Sequence, residues 1–350
     1  MKNFETLTDR KLVLMCSGGS DSTALVYKLA DFCAEGKLDS RDVLVFHFDH
    51  QLRGEASARD AQFAEALAKH FGFDFVCKQA GEGQLKDGEG QNLEGSARSL
   101  RYTAAFDAAE DFSAGKDFYL LTAHTVDDRI ETFYMRSIVG TGPGGLRSIT
   151  FDSDIPQIKH PLFDSTRDEL REYIEGHPKQ FRMQDELWRE DETNAQTDKF
   201  RTFVRHEIAC RCKEFMPASP QNLRRTMDLI AQEDDFMQTR VDAILAFPQM
   251  VEIGESGFKL QPDFGKLHPA IQGRCVFELL GKLLNSPNKF SDFRIEYKSV
   301  QAVLDCFSDG VPMSGKVVNI QGNLAVSSNK SGVLVERMES FRRRRKKDKL

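Results

Sequence analysis

Residues 12–22 read L-V-L-M-C-S-G-G-S-D-S, and this stretch decides the fold of the chain. The apolar run 12–16 predicts a buried strand, and the segment T-A-L-V-Y-K-L-A that follows residue 22 predicts a helix, because its apolar residues recur at helical spacing. The two adjacent glycines at the junction allow positive φ and let a ligand approach the backbone closely. Ordinary helix caps are the alternative, but three hydroxyls and a carboxylate within six residues favour phosphate binding at the helix N-terminus.

This phosphate loop differs from the two commonest kinds. No G-K-[ST] closes it, as in a Walker A motif, and the G-x-G-x-x-G spacing of dinucleotide folds is absent. The S-G-G-S-D-S sequence instead resembles the pyrophosphate loop of the N-type ATP pyrophosphatases, which cleave ATP between the α and β phosphates. That resemblance implies ATP binding by Ser17, Gly18, Gly19, Ser20, Asp21 and Ser22.

Composition restricts the class of protein. The 350 residues suit two or three domains, and 40% hydrophobic with 29% charged residues is ordinary for a globular protein. With no apolar run near the length of a membrane span and no signal-peptide core, the expectation is a cytoplasmic protein that does not bind a membrane. The seven cysteines contain no C-x-x-C pair, which argues against a disulfide framework, a zinc ribbon or a cysteine-ligated cluster.

Strand and helix patterns alternate through the first 150 residues, which predicts an α/β fold with a parallel, Rossmann-like sheet. Ligands of such sheets lie at the carboxyl ends of the strands, where polar clusters fall at 17–22, 47–53 and 124–132. The glycine-rich segment 140–146 predicts a loop, and the chain then becomes helical, with a linker at 217–220, long helices at 222–247 and 269–284, and a small β segment at 316–337. The predicted division is a catalytic core over 1–150, its helical completion over 151–216, a helical and β domain over 221–340, and a basic tail over 341–350.

Two polar clusters besides the phosphate loop carry candidate chemistry. His47 and Asp49 end a buried strand. A single histidine at such a position is more simply explained as a polar residue whose hydrogen bonds are satisfied within the fold. His124, Asp128 and Glu131 lie three or four residues apart and share a helix face, next to Asp127. Adjacent carboxylates repel in a dry pocket unless a cation joins them, so Mg²⁺ on Asp127 or Asp128 fits ATP chemistry, although a solvated acidic helix is the alternative.

The ordered set of motifs resembles the tRNA(Ile)-lysidine synthetase family over roughly residues 11–210. The motifs are S-G-G-S-D-S, H-F-D-H-Q-L-R-G-E, N-L-E-G-S-A-R-S-L-R-Y, A-H-T-V-D-D-R-I-E-T, G-T-G-P-G-G-L, H-P-L, R-D-E, E-D-E-T-N and F-R-T-F-V-R. The resemblance implies an enzyme that uses ATP to adenylate the wobble cytidine of an isoleucine tRNA with a CAU anticodon. The ε-amine of free L-lysine then attacks C2 and expels AMP, giving lysidine. The family is often dimeric, so a homodimer is a further expectation.

The resemblance also assigns roles to residues. Those expected to be catalytic are Asp21, His124, Asp127 and Asp128, and Asp21 and Asp128 are the expected Mg²⁺ ligands. His47 and Asp49 join the phosphate loop in binding ATP. The residues expected to contact lysine or tRNA are Arg98, Arg101, Glu131, Gly140, Gly142, Arg201 and Arg205. Surface salt bridging is an equal alternative for Arg98 and Arg101.

Some features depart from the family or lie beyond the resemblance. Arg129 stands where the family usually has glutamine, and Thr202 stands where it usually has asparagine. The last ten residues carry seven basic residues and one acidic residue, so a net charge of −6 conceals a basic tail on an acidic body. That tail predicts either a nucleic-acid arm or a solubilising end.

Two other functions compete with the lysidine reaction. A tRNA thiolase of the same fold is one, but those enzymes generally need a cysteine pair or an iron–sulfur cluster. A non-catalytic adenine-nucleotide sensor that binds RNA through the basic tail is the other, and it leaves the paired aspartates unexplained. Lysine-dependent turnover of ATP to AMP and pyrophosphate would separate the sensor from the enzyme.

Overall fold

The structure is a computed structural model that describes residues 2–51, 54–81, 93–153, 155–190, 200–284 and 295–347. Positions 52–53, 92 and 191–194 of the sequence motifs and residues 348–350 of the basic tail lie outside these ranges. The chain divides into two compact units, Met1–Ala231 and Gln232–Leu350. The four-part division inferred from the sequence stays a prediction.

The first unit is built on a parallel sheet, as the sequence predicts. Its strands are β1 (Lys11–Met15), β2 (Val43–Asp49), β3 (Asp74–Gln79), β4 (Phe118–Leu121) and β5 (Ile158–Lys159). All neighbouring strands are parallel, and their order is β3-β2-β1-β4-β5. Strand β5 was not predicted, because two residues give no periodic signal.

Helices connect and cover these strands. They are α1 (Lys2–Glu5), α2 (Ser20–Ala34), α3 (Glu55–Phe71), α4 (Leu93–Ser113), α5 (Val126–Val139), α6 (Pro143–Leu146), α7 (Arg167–Glu175), α8 (Phe200–Phe203) and α9 (Cys210–Phe215). A π-helical turn, Val204–Ala209, joins α8 to α9. None of the described helices combines the length and apolar character needed to cross a membrane.

The strand order places a topological switch point beside β1. The chain runs from β1 outward through β2 and β3, and β4 then returns to the opposite side of β1. Crossovers on the two sides of such a point leave a crevice at the carboxyl ends of the two strands, where ligands of open α/β sheets bind. The loop after β1 and the N-terminus of α5 after β4 therefore face the same crevice.

The sheet is apolar on both faces, because helices cover each of them. Leu12 and Leu14 of β1 pack into one cluster with α2 and α3, whereas Val13 points to the other face and packs with Tyr102 and Ala105 of α4. Alternation of side chains along a strand explains this division. The near-continuous apolar run that predicted β1 is the expected pattern for a strand buried on both sides.

The glycine-rich segment 140–146 contains a helix, so the prediction of a loop there is wrong in part. Gly140 ends α5 with a φ of +89°, and Pro143 then occupies the first turn of α6. Proline has its φ preset near the helical value and needs no N–H partner in a first turn, which offsets the poor helix propensity of the glycines.

The second unit contains the end of α10 (Ser219–Leu245) and a separate antiparallel sheet. The predicted linker at 217–220 is also wrong in part, because Ser219 and Pro220 form the first turn of α10. The further helices are α11 (Pro269–Leu284), α12 (Tyr297–Leu304) and α13 (Met338–Lys347). The strands are β6 (Val251–Gly254), β7 (Gly257–Leu260), β8 (Phe307–Ser308), β9 (Val311–Pro312), β10 (Val317–Ile320), β11 (Leu324–Asn329) and β12 (Gly332–Arg337).

The sheet of the second unit has the order β10-β11-β12-β7-β6, and β8 pairs with β9 separately. The predicted C-terminal β segment corresponds to β10, β11 and β12, whereas the hairpin β6–β7 was not predicted. The predicted helix 269–284 matches α11. Most of the basic tail continues α13, in which Arg344 donates to Glu336 of β12 at 2.6 Å.

Candidate active site

The loop between β1 and α2 is held by its own hydroxyls and by a distant segment. The Ser22 hydroxyl donates to Gly19 O at 3.1 Å and accepts from Ser17 N at 3.2 Å. Gly18 has a φ of +87°, and its carbonyl accepts from Arg189 N at 2.8 Å. The loop is therefore fixed in shape before any ligand binds, with the N-terminus of the 15-residue helix α2 behind it.

His47 and Asp49 at the end of β2 stand beside this loop. The His47 Nδ1 donates to Cys16 O at 2.8 Å, which leaves Nε2 with a lone pair, and burial lowers the pKa of this histidine. Asp49 accepts from Gln51 N at 2.7 Å. Both side chains line the cavity described below, so a neutral acceptor and a carboxylate border the phosphate loop.

The N-terminus of α5 carries a capping box that fixes Asp128. The backbone N and the hydroxyl of Thr125 both donate to Asp128 Oδ2 at 2.9 Å, and Asp128 N donates back to Thr125 Oγ1. This reciprocal cap satisfies donors that the helix would otherwise leave open. One oxygen of Asp128 is thus committed to the backbone, and the other is turned towards the crevice.

Three arginines from later in the chain converge on acids at the start of α2 and in α5. Arg167 donates to Asp21 at 3.0 Å, to Asp128 at 2.8 Å and to Glu131 at 3.1 Å. Arg201 reaches Asp128 at 2.8 Å and Glu131 at 2.9 Å. Arg205 donates to Glu131 at 2.6 Å. We refer to Asp21, Asp128, Glu131, Arg167, Arg201 and Arg205 as the acid–arginine cluster.

The charges within the acid–arginine cluster determine its protonation. Burial opposes ionisation of Asp128, but the Arg167 guanidinium and neighbouring positive charges hold its pKa well below the ordinary value. The pKa of Glu131 is lowered as well, because its hydrogen bond to Arg205 and the charge of Arg167 outweigh burial. Asp21 differs, since burial raises its pKa more than Arg167 lowers it. Asp128 and Glu131 are therefore carboxylates at neutral pH.

His124 lies at the end of β4 in contact with a second buried histidine. Its Nδ1 is 2.7 Å from Thr122 Oγ1, and the same hydroxyl is 2.5 Å from His160 Nδ1. Burial, opposed in part by Asp128, lowers the pKa of His124 to about 4. Burial and the neighbouring His124 lower the pKa of His160 to about 3. Both rings are neutral near pH 7.

These groups surround one cavity of about 1340 Å³ within the first unit. The predicted site residues that line it are Ser17, Gly19, Ser20, Asp21, Ser22, His47, Asp49, Arg98, Arg101, His124, Asp127, Asp128, Glu131, Arg201 and Arg205. Gly18 instead packs beneath Arg189, whose Cγ lies 3.3 Å from where a Cβ on Gly18 would stand. Gly140 and Gly142 cap α5 and α6 and are not among the described lining residues. Their predicted contact with substrate stays a prediction.

Several functional candidates were missed in the sequence. Arg167, His160 and Arg189 all lie at this end of the sheet, although only His160 and Arg167 fell in a recognised motif and neither was given a role. His160 was overlooked because it follows β5, a strand of only two residues that gives no signal in the sequence. Had that strand been found, the polar residues after it would have been placed at the carboxyl edge of the sheet, beside β4.

The two departures from the family pattern have different surroundings. Arg129 is 1% exposed, donates to Asp228 at 2.6 Å and stacks over the Phe163 ring. Its Nε and NH1 have no hydrogen-bond partner among the described residues. Thr202 lies half-buried in α8. Neither side chain is among the described cavity-lining residues, so both departures leave the cavity wall itself intact.

The carboxylates of the cavity differ in how well they fit Mg²⁺. Asp128 already accepts four hydrogen bonds, two on each oxygen, and has no remaining capacity as a ligand in this arrangement. Asp127 accepts one hydrogen bond, from Arg167 N, and Asp21 accepts one on each oxygen. In the part of the chain that the structure describes, no three His, Cys, Asp or Glu residues are grouped to hold a metal alone. Asp21 and Asp127 thus fit a Mg²⁺ held mainly by phosphate oxygens.

The sheet order and this cavity define the class: an α/β protein with a glycine- and serine-rich loop at a topological switch point. Comparison with protein families matches residues 1–212 to the family described as the PP-loop domain. The chain therefore belongs to the PP-loop domain family, and this membership supports the use of ATP.

Curated relatives narrow the comparison. The chain is similar to proteins named tRNA(Ile)-lysidine synthase from Thermus thermophilus (33% identity, 67% of this chain and 42% of the relative), Clostridioides difficile (28%, 82% and 59%) and Geobacter sulfurreducens (30%, 69% and 48%). The chain thus spans about half the length of the curated relatives it matches. Among solved structures, a U34-tRNA thiolase from Methanococcus maripaludis aligns with a TM-score of 0.48 and 17% identity, over 64% of this chain and 73% of the thiolase.

Proposed function

We propose that this protein ligates L-lysine to C2 of the wobble cytidine of a tRNA(Ile) with a CAU anticodon, with ATP cleaved to AMP and pyrophosphate. The observation that carries the proposal is the shared cavity, in which the phosphate loop after β1 faces Asp127, Asp128 and His124 after β4. The names of the curated relatives support the same reaction. Because this chain matches only about half the length of those relatives, its substrates are part of the proposal.

The first step joins the cytidine to the α phosphate of ATP. The C2 oxygen attacks that phosphorus, the bond to the β phosphate breaks, and pyrophosphate leaves. The N–H groups that begin α2 and the hydroxyl of Ser17 would hold the leaving group, while Ser20 and Ser22 shape the loop through their hydrogen bonds to Asp21 and Gly19. Mg²⁺ held with Asp21 and Asp127 would offset the phosphate charge.

The second step joins the lysine nitrogen to C2. The ε-amine attacks C2, the bond from C2 to the adenylate oxygen breaks, and AMP leaves. A substrate ammonium must be bound and must lose protons before and after it bonds to carbon. Asp127, which accepts a single hydrogen bond, supplies the negative charge for the ammonium, and neutral His124 supplies a lone pair in the same cavity. Asp128 holds Arg167 and Arg201 in place beside them.

Glu131 contributes to this site through its arginines. Its side chain is 2% exposed, and Arg167, Arg201 and Arg205 all donate to its two oxygens. We propose that Glu131 holds Arg201 and Arg205 at the cavity wall, where they pair with the lysine carboxylate or with RNA phosphate. Arg98 and Arg101 on α4 line the same cavity and add to its affinity for the RNA backbone.

The reaction is tested by measuring AMP and pyrophosphate release with the tRNA, and then with the tRNA and lysine together. Wild-type protein is expected to release AMP only when lysine is present, and Asp128→Asn to lose at least about a hundredfold in rate. Asp235→Asn, an exposed change on α10, serves as the matched control and should retain the rate. Release of AMP and pyrophosphate at the same rate with and without lysine would contradict the proposal. It would indicate that another nucleophile, such as sulfur, takes the place of lysine. No turnover with nucleotide still bound would favour the sensor.

A further inference from the structure

Thr122 lies between two histidines and hydrogen-bonds to both. Its Oγ1 is 2.7 Å from His124 Nδ1 and 2.5 Å from His160 Nδ1, and the two nitrogens are 3.2 Å apart. The imidazole rings stand nearly perpendicular, with centroids 4.7 Å apart. Thr122 and His160 are each 7% exposed, so these hydrogen bonds form away from water.

The protons available to Thr122, His124 and His160 determine how the tautomers of the two histidines are related. Each neutral imidazole carries one N–H and one lone pair, and the hydroxyl carries one proton. Among the described residues, the Thr122 hydroxyl has no acceptor other than these ring nitrogens. A buried hydroxyl donates its proton, so one Nδ1 must be an acceptor. The hydroxyl oxygen then accepts from the other Nδ1, which must carry hydrogen. The two histidines therefore occupy opposite tautomers.

The charges around the cavity decide which ring takes which tautomer. Asp128 is the strongest single charge acting on His124, but each of its oxygens already accepts two hydrogen bonds, so it offers no acceptor for a ring N–H. Arg98, Arg101 and Arg201 act on the same ring from the cavity wall. A positive wall favours a lone pair over an N–H on the ring nitrogen that faces it. Since Nδ1 of His124 is engaged with Thr122, that nitrogen is Nε2. His124 is then an Nδ1–H donor to the hydroxyl, and the hydroxyl donates to His160.

We propose that Thr122 and His160 are positioning residues that hold His124 in the Nδ1–H tautomer. The Nε2 lone pair then accepts the proton that the substrate nitrogen releases once it has bonded to C2, when that nitrogen is strongly acidic. The resulting imidazolium keeps its Nδ1–H bond to Thr122, so no other group need move. The catalytic consequence rests on the proposed function, whereas the tautomer does not.

The tautomer can be read directly by NMR. Full-length protein labelled with nitrogen-15 histidine is measured at neutral pH by two-bond proton–nitrogen correlation, and His124→Gln identifies the His124 signals. We expect an unprotonated Nε2 on His124 and an unprotonated Nδ1 on His160. In His160→Phe the hydroxyl loses its acceptor and donates to His124 Nδ1, so His124 should change to the Nε2–H tautomer. Finding Nε2–H in the wild type, or no change in His160→Phe, would overturn the proposal.

Two further variants keep the test informative. Thr122→Val is nearly isosteric and should leave His124 as a mixture of tautomers, whereas Thr122→Ser should restore the Nδ1–H form. If His124 keeps a single, unchanged tautomer in Thr122→Val, then Thr122 does not hold that tautomer. This result would contradict the proposal even if His160→Phe misfolds. In the lysine reaction, His160→Phe and Thr122→Val should lower kcat about tenfold or more with little change in the KM for ATP. An absent lysine reaction with the expected tautomers would contradict the proposed function alone.

Discussion

Arg167 NH2 lies 2.8 Å from Asp128 Oδ1, and this contact joins the start of α7 to the capping box of α5. The same guanidinium also reaches Asp21 of the phosphate loop. One side chain, 39 residues beyond Asp128 in the sequence, thereby fixes the relative positions of the loop and the acids. The acid–arginine cluster is thus both an electrostatic and a positional feature of the cavity.

Arg167→Met should destabilise the protein and disable the cavity. It would leave Asp128 and Glu131 as buried carboxylates with fewer partners, which is expected to lower the free energy of unfolding by about 3 kcal/mol. Urea unfolding measures this change. Arg225→Met, an exposed change on α10, is the control and should stay within about 0.5 kcal/mol of wild type. Equal stability of the two variants would show that Arg167 is not central to the cluster.

Acidification should destabilise the protein through the histidine pair. Folding lowers the pKa of His124 from 6.5 to about 4 and that of His160 from 6.5 to about 3. The unfolded chain therefore binds protons first as the pH falls, so stability is full above about 6.5 and is lost progressively down to those folded values. Urea midpoints between about pH 7 and pH 5 should fall in wild type and fall less in His160→Gln. A flat wild-type profile would contradict burial of neutral rings.

Arg129 and Asp228 should show energetic coupling. Arg129 is fully buried and Asp228 is half-exposed, so breaking the pair is expected to lower the free energy of unfolding by about 1 to 2 kcal/mol. A double-mutant cycle with Arg129→Gln, Asp228→Asn and both together measures the interaction. The double variant should lose less than the two single losses combined. Additive losses would mean that the ion pair does not account for the burial of Arg129.

Gly18→Ala should weaken ATP binding because of where its Cβ would lie. Gly18 has a φ of +87°, and the new Cβ would stand 3.3 Å from Arg189 Cγ. We expect the Kd for ATP to rise at least about tenfold, which is about 1.4 kcal/mol. Gly36→Ala is the control, since Gly36 has a φ of +73° with open space around it. It imposes similar backbone strain but should leave the Kd unchanged. Equal effects of the two variants would assign the loss to strain alone.

The exposed arginines of α13 should contribute to RNA affinity. Arg342, Arg343 and Arg345 are exposed, whereas Arg344 is bound to the buried Glu336. Changing the three exposed arginines to glutamine should weaken tRNA binding and reduce the slope of log Kd against log salt by about two to three. ATP binding should stay the same. An unchanged salt slope would make the basic helix a solubilising end.

Local sequence was sufficient for the parts of the site that directly follow long strands. The Ser17–Ser22 loop and the His124–Asp128 segment each come after an apolar run, and their meeting in one crevice follows from parallel-sheet topology. The acid–arginine cluster could not be predicted in the same way, because Arg167, Arg201 and Arg205 are brought to it by tertiary packing. The roles assigned to the individual residues stay predictions.

Short or weakly periodic elements account for the remaining differences. Strand β5 has two residues, and β6 buries only Val251, so neither gives an alternating pattern. Helix α6 contains two glycines and depends on Pro143 at its start. The Thr122–His160 contact crosses between two strands, and no spacing in the sequence reveals which residues two neighbouring strands place together.

The measurement that tests the central claim most directly is transfer of radiolabelled lysine to two tRNA transcripts in the presence of ATP and Mg²⁺. One transcript is an isoleucine tRNA with a CAU anticodon, and the other is a methionine tRNA with the same anticodon. We predict that label enters the isoleucine transcript alone and that AMP is released in equal amount. Absence of label from both transcripts, with ATP still cleaved to AMP, would contradict the assignment of lysine as the nucleophile that attacks the adenylated cytidine.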